Sequence, residues 1–158
     1  MKVKVFVETG DPRTGKTTRI HAVATRLERR LKEMQKQKCL DAKCPRQGIS
    51  AKQDGDIKRC YTISGGGKKV VVSFFSKGDS TSEVANSFRY AVEKNNSDIH
   101  VMASRDKSWV EDQIQQLNAV VEYWPPVEKK DRASEVERMY QALKAEICTR
   151  CPVLSPWL

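Results

Sequence analysis

Residues 10 to 17 read Gly10-Asp11-Pro12-Arg13-Thr14-Gly15-Lys16-Thr17, with Thr18 next in line. Each residue type in this run suits a polyphosphate ligand. Gly15 lets the main chain approach an anion without a Cβ in the way. Lys16 can reach terminal phosphates, and the Thr17 hydroxyl can ligate a magnesium ion. The apolar run Val3-Lys4-Val5-Phe6-Val7 ends two residues before the loop. A strand there would deliver the chain into a loop whose backbone N–H groups surround the phosphates. A helix starting near Lys16 would then turn the positive end of its dipole toward them.

The pattern G-x-x-x-x-G-K-[ST], set between a strand and a helix, resembles the P-loop NTPase superfamily over residues 3 to about 30. The resemblance implies ATP or another nucleoside triphosphate with Mg2+ as ligands, held by Gly10, Asp11, Pro12, Arg13, Thr14, Gly15, Lys16, Thr17 and Thr18. Arg13 stands where many such loops carry glycine, which stiffens the loop or adds a phosphate contact, and Asp11 is unfavourable beside an anion, although its side chain can point outward to solvent. The superfamily also implies an acidic residue at the end of a neighbouring strand to hold the metal or its water. Asp79 is the candidate, separated from the apolar run Val70–Phe75 by Ser76-Lys77-Gly78, and Asp106 is the reserve. The competing role for Asp79 is to cap the next helix. Thr17 and Asp79 are therefore the expected metal pair, and Lys16, Asp79 and Arg105 the expected catalytic set. Arg105, at a strand end, would put positive charge on a transferring phosphoryl group, with Arg132 as a second source. Ser76-Lys77-Gly78-Asp79 imitates the guanine-reading [NT]-K-x-D of GTPases, but it follows the wrong strand and starts with serine, so guanine specificity is set aside. His21 and His100 show no partner in the sequence and stay outside the mechanism.

The elements that must position these groups follow from periodicity. Ile20, Val23, Ala24, Leu27, Leu31 and Met34 recur at three- and four-residue steps, which predicts a helix from Lys16 to about Gln37. Residues 38 to 56 carry little apolar content and read as a long surface segment. Ile57 to Ile63, the Ser64-Gly65-Gly66-Gly67 turn and Lys69 to Phe75 predict a hairpin with its first arm at the sheet edge and its second arm central. Then come a helix capped by Ser80 or Thr81 and running to about Lys94, a strand at Ile99–Ala103, and a helix from Ser108 through Leu117. A strand at Ala119–Tyr123 and a helix from Ala133 to Ile147 close the series. The expected fold is α/β, a three-layer sandwich of P-loop NTPase type, with a mostly parallel sheet flanked by helices and one antiparallel edge strand.

The 158 residues, 39% of them hydrophobic, suffice for one core. The expectation is one nucleotide-binding domain over residues 1–150 and an apolar tail, 151–158, that packs on the domain or binds a partner. The start at Met1-Lys2-Val3 shows no leader pattern and no apolar stretch reaches the roughly 20 residues of a membrane span, so a cytoplasmic protein with no membrane contact is expected. The five cysteines are an odd number and suit free thiols, with Cys39, Cys44, Cys148 and Cys151 as an alternative zinc set. The formal net charge of +9 leaves open a nucleic-acid or protein partner. Its largest cluster is Arg26, Arg29, Arg30, Lys32, Lys36 and Lys38. The function these features predict is a Mg-dependent nucleoside triphosphatase of low or partner-stimulated activity. The alternatives are a small-molecule or nucleotide kinase and a nucleotide-dependent switch.

Overall fold

The computed structural model describes residues 2–10, 16–36, 48–53, 58–65, 67–124, 132–156 and 158, without the side chains of residues 35, 36, 48–53 and 132. Strands β1 (Val3–Thr9), β2 (Gly48–Gln53), β3 (Lys58–Gly65), β4 (Lys68–Phe75), β5 (Ile99–Ser104) and β6 (Ala119–Trp124) form a six-stranded sheet in the order β2-β3-β4-β5-β1-β6. β4, β5, β1 and β6 run parallel, β3 pairs antiparallel with β4, and β2 pairs antiparallel with β3 at the sheet edge. The chain is thus α/β with a mostly parallel sheet.

The side-chain alternation of β1 explains why helices cover both faces. Phe6 joins a core with Ile20, Leu27 and Leu31 of helix α1 (Lys16–Lys36) and with Met139, Leu143 and Ile147 of helix α4 (Arg132–Arg150). Val5 and Val7 point the other way, into a core with Val84 and Phe88 of helix α2 (Thr81–Arg89) and Val110 of helix α3 (Lys107–Ile114). This two-sided cover is compatible with the expected three-layer sandwich. The α1 stripe read from the sequence, Ile20 through Met34, is buried throughout. Each fully buried leucine or isoleucine on it contributes roughly 1.5–3 kcal/mol of transfer free energy.

Three expectations need correction. The segment 38–56 is not all surface connection, because residues 48–53 form β2. An outer strand needs little apolar content, since its backbone pairing to β3 is what holds it. β3 is consequently internal, and the antiparallel part of the sheet is two strands wide instead of one. The helix after Ser80 is α-helical only to Arg89 and continues as a π-helical turn over Tyr90–Lys94. The tail packs on the domain. Cys151, Leu154 and Leu158 are buried in the α1/α4 core, and the Cys151 thiol donates to the Gly65 carbonyl at 3.4 Å.

Candidate functional site

β1 ends at Thr9, and α1 begins at Lys16 directly beyond the loop. Gly10 has φ of +141°, a backbone conformation that a side chain disfavours. Asp11, Pro12, Arg13, Thr14 and Gly15 lie outside the described residues. The Lys16 side chain is buried, and its ammonium donates to the Gly10 carbonyl at 2.5 Å and to Oδ1 of Asp79 at 3.3 Å. The Thr17 hydroxyl is exposed at the next helix position and donates to the Ser76 carbonyl at 3.1 Å. Lys16, Thr17 and Asp79 therefore converge from α1 and from the loop after β4.

That convergence crosses a strand. The acidic residue is expected on the strand beside the loop strand, yet β5 lies between β1 and β4. Residues 76–79 close the gap by folding over the carboxyl end of β5. Gly78 sits so tightly there that a Cβ on it would stand 1.9 Å from the Ala103 carbonyl oxygen. The Arg105 N–H donates to the Gly78 carbonyl at 2.8 Å and pins the crossing. The three residues between strand and carboxylate are the length of chain that carries Asp79 across.

The cap of α2 is Ser80, whose Oγ accepts from the Glu83 N–H at 3.1 Å, so Asp79 is not the capping residue. The Asp79 carboxylate is about half exposed and faces Lys16. Asp106, the reserve, is engaged as the cap of α3. Its Oδ1 accepts from the Ser108 N–H and hydroxyl at 2.8 and 2.7 Å, and these bonds hold its pKa below the usual carboxylate range. Arg105 reaches the same end of the sheet through its backbone, while its side chain is exposed. Arg132 opens α4, and its side chain lies outside the described residues, as do Cys39 and Cys44.

At the end of β1 lies a group that the sequence pattern alone does not single out. Glu8, the penultimate residue of β1, is buried and ion-paired to Arg19, which is buried on α1 one turn beyond Lys16. Burial raises the Glu8 pKa from its ordinary value to about 7. The Arg19 charge opposes that rise, nearby Glu135 on α4 adds to it, and Lys16 opposes it. The sequence carries a signal for this pair, because a glutamate on the inward-facing alternation of an otherwise apolar strand demands a buried cation.

Both histidines, without visible partners in the sequence, have them in the fold. Arg59 of β3 places its Nη2 3.0 Å from His21 Nε2 and its Nη1 3.3 Å from the Thr25 hydroxyl. His100 is fully buried, with Nδ1 2.7 Å from Ser73 Oγ and Nε2 2.8 Å from Ser87 Oγ. Desolvation pushes its pKa down to about 3, so the ring is neutral and joins β4, β5 and α2 as a structural brace.

Comparison of the chain with protein-family models, with curated proteins and with solved structures gave no match.

Proposed function

We propose that the chain is a P-loop nucleotide-binding protein that hydrolyses a nucleoside triphosphate, ATP by preference, slowly or under a partner's stimulation. The observation that carries this reading is the convergence of Lys16, Thr17 and Asp79 at the end of β1, directly after the glycine-lysine-threonine loop. Lys16 would exchange its Gly10 and Asp79 contacts for terminal phosphate oxygens. The Thr17 hydroxyl and the Asp79 carboxylate are hard oxygen donors of the kind magnesium takes, the carboxylate directly or through bound water. The ion would neutralise charge that accumulates on the terminal phosphates during transfer. In the reaction water attacks the γ-phosphorus, the bond to the bridging oxygen breaks, and the diphosphate leaves.

Slow turnover is favoured by what surrounds the site. Among the described residues, the other carboxylates near it are engaged elsewhere: Asp106 caps α3, Glu8 is buried against Arg19, and Glu135 is buried and paired with Arg138. A general base to polarise the attacking water is thus missing from the described set. Calorimetric titration with Mg-ATP, followed by a phosphate-release assay, tests the proposal. Micromolar binding with slow release is the expected result, and failure to bind any of the four common triphosphates removes it.

A further inference from the structure

Next to the phosphate site, an open groove of about 590 Å3 runs down the outer face of α1, lined by Thr17, Thr18, His21, Thr25, Arg26 and Arg29 among others. These positions recur at helical spacing from Thr17 to Arg29, about 18 Å at a rise of 1.5 Å per residue. The Arg26 guanidinium lies 4.1 Å over the Tyr140 ring and is ion-paired to Glu137, so its plane is held. Arg29 is exposed. Arg59 of β3 sets its guanidinium against His21 and Thr25, two residues of the groove wall. Three guanidinium groups thus border one wall system, opposed by Glu137 and by Glu28 three residues past Thr25.

We propose that this groove takes a single strand of nucleic acid, gripped through its phosphates. Its shape favours a polymer over a small molecule. Small-ligand sites bury roughly 70–90% of the ligand surface, whereas a ligand lying in this open groove keeps one side in water. A polyanion needs no enclosure, because its affinity comes from several phosphate contacts and the counterions they release, and the net charge of +9 strengthens that attraction. The described lining holds no phenylalanine, tyrosine or tryptophan on which bases would stack, so the grip is indifferent to base sequence. One backbone fits along a single helix face. The described lining lies on α1, and the proposal does not rest on the nucleotide reading.

The test is fluorescence anisotropy of labelled oligothymidylate and oligouridylate across a salt series. Wild-type protein should bind both, with log affinity falling linearly in log salt. The double variant Arg29→Gln/Arg59→Gln should weaken binding at least roughly tenfold and flatten the slope by about 1.4, that is about 0.7 for each phosphate that no longer meets a guanidinium. Lys68→Gln/Lys69→Gln removes the same charge at the opposite end of the sheet, where both side chains are exposed, and should leave the slope unchanged. Thermal melts confirm that each variant is folded. Lys16→Ala should bind the strand as wild type does even where it has lost the nucleotide, which separates this proposal from the preceding one. Absence of binding at low salt, binding confined to duplexes, or an equal effect of the Lys68/Lys69 variant overturns it.

Discussion

The ammonium of Lys16 lies 3.3 Å from Oδ1 of Asp79, a carboxylate 63 positions further along the chain. Two elements that are not neighbours in the sheet produce this contact, the start of α1 and the loop after β4. The loop reaches across β5 only because Gly78 lets it lie against the Ala103 backbone. The Thr17 hydroxyl adds a second link between α1 and this loop by donating to the Ser76 carbonyl. A phosphate and its metal would have to displace these bonds, which are replaceable because Asp79 is half open to water.

Replacing Lys16 by alanine should reduce affinity for Mg-ATP at least roughly a hundredfold, the scale expected for removing one preorganised donor from a charged ligand. The fold should persist, because the ion pair to a half-exposed Asp79 contributes at most about 1 kcal/mol. Calorimetric titration beside a thermal melt reads both quantities. Wild-type affinity in the folded variant would sink the nucleotide proposal.

Asp79→Asn keeps the shape of the side chain and removes its charge. Affinity for ATP should be largely retained, while the single-turnover rate of phosphoryl transfer falls at least roughly tenfold, about 1.4 kcal/mol of barrier. Ser80 already caps α2, so loss of a cap cannot produce such a drop. Equal rates in the two proteins would place the metal carboxylate elsewhere.

Gly78→Ala should be costly for a different reason. The added methyl meets the Ala103 carbonyl carbon at 2.4 Å and its oxygen at 1.9 Å, both backbone atoms, so the loop has to lift off β5. The expected loss is about 1–3 kcal/mol of stability, together with a transfer rate lowered toward that of Asp79→Asn. A variant as stable and as active as wild type would show that the crossing does not position the carboxylate.

Stability should depend on pH through Glu8. Its folded-state pKa is raised from 4.5 to about 7, so the folded protein holds more protons than the unfolded chain between those values. Unfolding free energy therefore falls as pH rises through that window and levels off above it. Chemical denaturation across the window should show this slope in the wild type and a flatter one in Glu8→Gln. Stability that climbs between pH 5 and about 7 in the wild type alone would reverse the sign and refute the assignment to Glu8.

How far these features can be read in the chain follows from their range. β1, the loop and the α1 stripe are local patterns, and the buried set Ile20 to Met34 matches the periodicity residue by residue. β4 is legible because a strand covered on both faces is apolar almost throughout. β2 is not, since Gly48–Gln53 joins the sheet through its backbone and leaves little trace in side-chain type. Sheet order is equally hidden. Placing β5 between β1 and β4 depends on pairings such as Phe6 with Val101, which no local spacing encodes. In the sequence the intervening Ser76-Lys77-Gly78 looks like a defect in the acidic signal, and the extra strand gives it a span to cover.

The His100 brace has a mechanical consequence for the site at the other end of α2. Ser87 Oγ and Ser73 Oγ clamp the two nitrogens of one buried ring, and Ser97 Oγ donates to Ser73 Oγ at 2.7 Å. Asp79 sits two residues before the helix that Ser87 anchors, with the Ser80 cap between them. Any sizeable slide of the carboxylate along the sheet must either unravel that capped turn or pull Ser87 off the imidazole, leaving polar atoms stranded in the interior. The lever is stiff. Amide protons on α2 should accordingly exchange with solvent through opening of the whole sheet rather than through local fraying, and the carboxylate inherits that rigidity from a fully buried histidine.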